Sequence, residues 1–406
     1  MLKLNLSKLS AYVGVVTSAA VVFLLIGCSN DSGNSKISII DIEKGMEKGK
    51  EVLLSKFCSN IDYIPLQTVD DAVIGTWPEI QESNGYLILK YSECKNLKVF
   101  DSTGKFINTI GILGNAANEY SKIEGFDTDN ENRLITINDF RKLLFYDYSG
   151  KLLKSIMFNR FVDTNFSAYM VVLMDKGNIC TLDYSFEEDL DALSFADSAG
   201  SLLNRINFGV RGSLLGKMII DGETAIVKSS RPPYIYNYKN SIRYIDPQND
   251  TILTYSDTFK KSSSYVTYFG KYKKDSENAS IKSIKLIPKS FKESEDAIFL
   301  KFVAPLNQFN YLNPHNRRRF GIYHKRENFF IPLHYNTDFQ SFGLKNDLDS
   351  GMPFWPDLIT EMKMYQIIDA MTFIQMSQLS GSSKMKEIAS QLTENSNPVI
   401  IVVTIK

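Results

Sequence analysis

The sequence predicts an all-β fold of the propeller type, and three observations carry the prediction. From about Ile61 onward, short alternating or apolar runs such as "YLILKY", "LKVFD", "RLITIND" and "KLLFYD" are broken by Asp, Asn, Ser and Gly, the pattern of strands joined in hairpins. One turn recurs as "FDSTGKF" (100–106), "YDYSGKL" (146–152) and "ADSAGSL" (196–202), so the aspartates at 101, 147 and 197 mark a unit of 46 to 50 residues. Several strands per unit at that period is a propeller signature. The third observation is the β-branched run "NPVIIVVTIK" (397–406), a lone strand at the terminus that needs a sheet to join.

The first residues read as a targeting segment. Lys3 and Lys8 precede the apolar stretch "AYVGVVTSAAVVFLLI", 16 residues long, which is too short for a bilayer span and fits a signal-peptide core. Its end, Leu25-Ile26-Gly27-Cys28, resembles the lipobox of bacterial lipoproteins, in which the cysteine is acylated and the peptide is cut just before it. The expected organisation is therefore a signal peptide over 1–27, a lipidated Cys28 with a flexible tether over 28–45, and a propeller domain over 46–406. The tether begins "SNDSGNSK", too polar to pack. Acyl chains hold a protein on a membrane surface without a spanning helix, so a cell-envelope location is expected, on the outer membrane, with the membrane itself as one partner.

Composition narrows the function. The chain is 44% hydrophobic and 12% aromatic, enough for a large core. It carries 46 basic and 46 acidic residues, a balance that argues against binding a phosphate backbone and hence against nucleic acid. Arg317, Arg318 and Arg319 read as a solvated turn. Besides Cys28, the cysteines are Cys58, Cys94 and Cys180; an odd number at irregular spacing is neither a disulfide framework nor a zinc pattern, and buried thiols are expected.

Each Asp-x-x-Gly turn follows from its residues, since Asp bonds the amides that follow it and Gly supplies a positive φ. Helical signals come late, in "DLITEMKMYQIIDAMTFIQMSQ" (357–378) and "SSKMKEIASQLTEN" (382–395), where Met385, Ile388, Ala389 and Leu392 fall at i, i+3, i+4 and i+7. The terminal strand is expected to complete a blade begun by "IDYIPLQT" (61–68). Periodicity alone leaves the number of blades between six and about seven.

The stretches "IDYIPLQT", "GKFINTIGILGNAANEY" (104–120), "YVTYFGKYK" (265–273), "NDLDSGMPFWP" (346–356) and "ENSNPVIIVV" (394–403) resemble the six-bladed β-propeller lipoproteins of Bacteroidetes, most of them of unknown function. The resemblance runs over almost the whole chain after the tether. It implies six blades, an envelope location and no established enzyme activity; the late helical signals predict a short helical insertion before the last strand. The chain departs from the usual Gly-Pro-Gly-Glu-Tyr at Ala116-Ala117-Asn118-Glu119-Tyr120, and from a double glycine at Ser350-Gly351.

No motif names a reaction. "DTDNENR" places Asp127, Asp129 and Glu131 like the first ligands of a calcium loop, but Asn132 stands where Gly is needed and Asn138 where a bidentate Glu is needed, so a polar hairpin turn is expected. His315, His324 and His334 lack metal-site spacing. "GSLLGK" (212–217) is one residue short of a phosphate loop and has Met218 in place of Ser or Thr. Ser383 and Lys386 share a Ser-x-x-Lys spacing without the partner motifs of penicillin-type enzymes, and Ser382 or Ser383 suits a helix N-cap better.

"NDLDSGMPFWP" stays open between two readings. As a brace, Asp347 and Asp349 cap their own loop and Trp355 is locked between Pro353 and Pro356. As a ligand-binding surface, Asn346, Asp347, Asp349 and Trp355 would take a sugar, with calcium as the one ion this donor set suits. The functional expectation is a monomeric, non-catalytic binding or scaffolding module for a glycan, peptide or protein partner, with no dedicated cofactor. The alternative is a carbohydrate- or peptide-active hydrolase on the same scaffold, since two carboxylates suffice for glycosidase chemistry.

Overall fold

Six sheets surround one central channel, and the order of their strands repeats. The computed structural model describes residues 36–47, 49–185, 187–210, 214–220, 223–229, 232–246, 249–273, 284–304 and 318–406, and Ile37 to Lys406 form one compact unit. The signal segment and Cys28 lie outside the described residues.

Blade 1 runs outward from the channel as Glu79–Ser83, Tyr86–Lys90, Leu97–Asp101 and Phe106–Ile110. Blade 2 is Gly125–Asp129, Leu134–Asn138, Lys142–Tyr146 and Leu152–Met157. Blade 3 is Ser167–Leu173, Ile179–Ser185, Leu190–Ala196 and Leu202–Val210. Blade 4 is Tyr234–Tyr238, Ser241–Asp246, Thr251–Tyr255 and Lys261–Tyr268. In blade 5 two short inner strands, Lys285–Leu286 and Lys292–Glu293, share the partner Ala297–Val303, followed by Arg318–His324 and Phe329–Pro332. Blade 6 is Leu358–Ile359, Lys363–Ile368, Val399–Ile405 and, outermost, Cys58–Pro65 from the other end of the chain.

That last pairing closes the ring as expected from "IDYIPLQT": Ile61 faces Val403, Tyr63 faces Ile401 and Pro65 faces Val399. Successive side chains of a strand point to opposite faces, and here both faces are covered. Val399, Ile401 and Val403 join the core shared with blade 5, whereas Ile400 and Val402 join the core shared with blade 1. Burial on both sides is why the run is continuously apolar rather than alternating. The buried side chains form six clusters, each spanning two neighbouring blades.

The recurring turns join third and fourth strands. Asp101 Oδ1 accepts the backbone N–H of Thr103 and of Lys105, and Gly104 has φ +86°; Asp147 with Gly150 and Asp197 with Gly200 repeat the arrangement. Blade 4 holds a fourth copy that its residues conceal. There Ser256 occupies the Asp position and Phe259, at φ +63°, the Gly position. The extra spacing before this copy comes from the inserted hairpin Leu214–Ile220 and Glu223–Ser229, which also contains the end of "GSLLGK"; its first two residues lie outside the described residues.

Several expectations need correction. The tether does not extend to residue 45, because Lys36–Asp41 adds a fifth strand beside Lys261–Tyr268, and Ile40 and Ile42 are fully buried. Residues 357–378 are not one helix: Leu358–Ile359 and Lys363–Ile368 are strands of blade 6, since the terminal strand pairs with Lys363–Ile368, and the helix begins at Ala370. The following helix, Ser383–Ala389, is capped by Ser382 and buries Met385 and Ala389. Arg318 and Arg319 begin a strand, with Arg319 only 1% exposed, so no solvated turn exists at those two positions; Arg317 lies outside the described residues. Cys58, Cys94 and Cys180 are buried free thiols.

Candidate functional site

The inner strand of each blade keeps one edge free, and the six free edges line a cavity of about 910 Å³. An unpaired edge would invite another chain to pair with it. Pro78, Pro232, Pro233, Pro288 and Pro356 stand beside the entrances of four inner strands and line the cavity, where they offer no N–H to a strand pairing beyond the entrance. The channel mouth is thus a rigid ring whose chemistry resides in side chains.

Three sectors of that lining differ in charge. Glu79 of blade 1 bonds Lys289 of blade 5 at 2.9 Å and lies 3.6 Å from Lys90. Burial opposes its ionisation, but the bond from Lys289 and the charges of Lys90, Lys289 and Lys292 prevail and hold it below the usual carboxylate range. Lys292 and Lys301 of blade 5 form a basic sector; burial lowers both, while Asp357 of blade 6 pulls each the other way. Lys301 Nζ also sits 4.8 Å from the centre of the Phe320 ring. Asp357 Oδ2 accepts the Ile367 N–H at 2.9 Å, and burial raises its pKa.

Opposite lies Asp127, whose Oδ2 accepts the Leu173 N–H and whose Oδ1 accepts the Thr128 N–H, both at 2.8 Å. Burial pushes it up to about 6. Tyr234 also lines the cavity; burial, with the charges of Glu79 and Asp127, pushes its hydroxyl up to about 12. Asp127 and Asp357 belong to different blades. Glycosidase chemistry needs two carboxyl groups about 5 to 10 Å apart, and Glu79, Glu124, Asp127, Glu293 and Asp357 all line this cavity.

A second cavity, about 430 Å³, opens beside the first and shares Glu79 and Glu124 with it. Its rim carries Trp77, 80% exposed with φ +56°, a backbone region that large L-residues avoid. The other tryptophan, Trp355, is 3% exposed, packs edge-on against Phe299 and Phe320, and belongs to the core between blades 5 and 6. The exposed ring is therefore Trp77, which sequence reasoning did not single out.

The rest of "NDLDSGMPFWP" is occupied by internal bonds. Asp347 accepts the Ser55 N–H at 2.9 Å and the Ser55 hydroxyl at 2.5 Å. Asp349 accepts the Tyr63 hydroxyl, the Ser382 hydroxyl at 2.5 Å, the Asn346 amide at 2.7 Å and the Gly351 N–H at 3.0 Å. These contacts tie the closing strand, the helix cap and the loop together, which is the geometry of a brace. Of the four residues, Trp355 is among those that line the channel cavity, whereas Asn346, Asp347 and Asp349 are not. Asp127 lies within an inner strand that ends at Asp129, and the expected polar hairpin turn follows at 130–133, with Asp129 accepting the Asn132 N–H at 2.9 Å. His324 stacks on Phe329, and His315 lies outside the described residues. Among the described residues no His, Cys, Asp and Glu cluster has metal-holding geometry. Proline just before Glu79, Tyr234 and Asp357 was the one signal in the sequence that marked the channel residues.

Six blades of four or five strands, the last completed by strands from distant parts of the chain, around a central channel define a β-propeller. The chain belongs to the family described as a domain of unknown function, DUF4934, whose profile matches residues 37–404. It is similar to a Bacteroides fragilis protein thought to be exported, with 18% identity over 91% of this chain and 100% of that one and a TM-score of 0.63. A DUF4221 member from Bacteroides vulgatus aligns at 12% identity over 88% and 99% of the two chains, with a TM-score of 0.45. No curated protein matches the sequence. Family and fold agree with the resemblance to Bacteroidetes propellers of unknown function; at these identities the structural likeness speaks for the fold alone.

Proposed function

We propose that the protein is a lipid-anchored binding module of the bacterial cell envelope, held through Cys28 and taking its ligand at the mouth of the propeller channel. One observation carries the reading: a cavity of about 910 Å³ bordered by all six blades, in which lysines, carboxylates and tyrosines face one another on rigid strands. Ligand sites are commonly concave, preformed and furnished with a few convergent polar groups. The lipobox-like Leu25-Ile26-Gly27-Cys28 supports anchoring, and an acyl anchor would present the channel to solutes near the membrane.

Two experiments test the two halves. Probing a glycan and peptide array with the purified protein should give a ligand whose binding is lost on changing Lys292 or Tyr234. A ligand that binds equally well to both variants would place the site elsewhere. Cys28→Ser should abolish incorporation of labelled fatty acid and membrane retention; continued labelling or membrane partitioning would refute the anchor.

A further inference from the structure

The channel mouth and the groove beside it share Glu79 and Glu124, so a ligand long enough to leave the channel has a continuous path past Glu79 to Trp77. Along this path the chemistry changes in order. At the channel end are Lys292 and Lys301, both of which feel the charge of Asp357 and line the cavity, so an incoming anion would compete with Asp357 for them. At the middle is Glu79, already held by Lys289 and Lys90. At the outer end a nearly fully exposed indole stands on a left-handed backbone with Lys90, Glu93 and Lys122 around it.

We infer that this path is one binding site for an acidic oligosaccharide, with a sugar ring stacked on Trp77 and a carboxylate received by Lys292 and Lys301. The inference rests on the channel reading above and names its ligand. An indole face offers a broad apolar surface beside a polar handle, suited to the apolar face of a pyranose. Carboxylates such as Glu79 and Glu124 accept hydroxyl hydrogens. Lysine ammonium groups bind a carboxylate through short charge-assisted bonds. An acidic peptide would satisfy the lysines too, but an extended peptide binds sheet edges by strand addition, and prolines at the entrances of four of the six inner strands offer it no N–H there. The exposed Trp77 adds a feature that strand addition does not use.

The protein contains its own reporter, since it has two tryptophans, one exposed and one buried. Acrylamide should quench Trp77 and spare Trp355. Oligogalacturonate added to the purified protein should protect the quenchable fraction, and raising the salt concentration should weaken that protection. Lys292→Ala and Lys301→Ala should each weaken binding about tenfold, the loss of one charge-assisted contact, while Trp77→Ala should remove the quenchable signal and weaken binding measured by calorimetry. A neutral oligogalactoside of matched length and polyglutamate serve as competitors. If either of these protects Trp77 and oligogalacturonate does not, the acidic-sugar inference fails and the channel reading stands. If none of the three binds, the inference is overturned; if a ligand found on the array binds without sensitivity to Lys292 or Tyr234, the channel reading falls as well.

Discussion

Gly104, in the third-to-fourth strand turn of blade 1, lies against Pro65 of the closing strand so closely that a Cβ on it would come within 2.3 Å of the Pro65 carbonyl oxygen. The backbone of Gly104 in turn accepts the Gln67 N–H at 2.8 Å. The same relationship recurs around the ring, where Gly150 faces Thr109 and Gly200 faces Ile156, each on the outer strand of the preceding blade. The repeated glycine thus serves two needs, a positive φ and the approach of one blade to the next.

Gly104→Ala should therefore cost more than Gly85→Ala, although both have positive φ. Gly85 has open space around its would-be Cβ, so only the backbone penalty of about 1–2 kcal/mol applies. At Gly104 the contact with Pro65 adds overpacking of about 1–3 kcal/mol. Denaturant unfolding of the two variants checks the difference; equal losses would mean that closure tolerates movement at this seam.

Removal of residues 398–406 should open the ring and expose strand edges on both sides of the gap. The lost strand buries Val399, Ile400, Ile401 and Val403 almost completely, at about 1.5–3 kcal/mol for each such side chain. The truncated protein should aggregate or melt far earlier than the complete chain in a thermal scan, and a soluble product of unchanged melting temperature would contradict closure by this strand.

The two aspartates of "NDLDSGMPFWP" should respond differently to Asn. Asp349 receives donors on both oxygens, including the hydroxyls of Tyr63 and Ser382, so an amide NH2 there would meet donors and leave one unpaired, at about 1–3 kcal/mol. Asp347 is exposed and bonds only Ser55 among the contacts above, and Asp347→Asn should cost less than about 1 kcal/mol. Trp355→Ala should cost about 3–5 kcal/mol, whereas Trp77→Ala should leave stability nearly unchanged. Chemical denaturation of the four variants tests the ranking.

Acidification should stabilise the protein before it destabilises it, and Asp183 supplies a separable part of the effect. This carboxyl is fully buried in blade 3, accepts the Ser194 hydroxyl at 2.5 Å and lies 3.7 Å from Arg205. Burial, the largest influence, pushes it up to about 6, while an unfolded aspartate titrates near 3.8. Between those pH values the folded chain binds more protons than the unfolded one, so stability rises as pH falls, by about 2–3 kcal/mol for this group. Asp127, also pushed up to about 6, acts in the same direction. Glu293 acts oppositely: it accepts from Arg243, Lys325 and Tyr236 and is held below its usual range, so its contribution is lost on further acidification. Stability measured from pH 7 to pH 3 should pass through a maximum, and Asp183→Asn should reduce the rise on its alkaline side; an unchanged rise would assign it to other groups.

Legibility in the sequence followed physical locality. The Asp-x-x-Gly turns were readable because Asp101, Asp147 and Asp197 bond amides within four residues of themselves. Ser256 and Phe259 build the same turn without those residue types, since the surrounding strands impose the left-handed conformation that Gly adopts without cost. Closure was readable from the terminal β-branched run. Lys363–Ile368 was misread because a partner strand 30 or more residues away in sequence decides its conformation, and Leu358–Ile359 follows by pairing with it, beyond the reach of local periodicity. The site was least legible: whether Trp77 or Trp355 faces solvent depends on how blades pack, and Lys292, Lys301 and Glu79 meet only through ring closure. Asn346, Asp347 and Asp349 have the composition of a binding loop, but their partners, Ser55, Tyr63 and Ser382, come from distant segments.

The central claim, that ligand enters the propeller channel, is tested most directly by hydrogen exchange of the purified protein with and without the ligand selected on the array. The account predicts slowed exchange at the inner-strand entrances, residues 79–81, 124–127, 234–236, 289–293 and 357–359, with little change in the outer strands of the blades. Protection confined to residues 346–351, or to the outer strands, would contradict it.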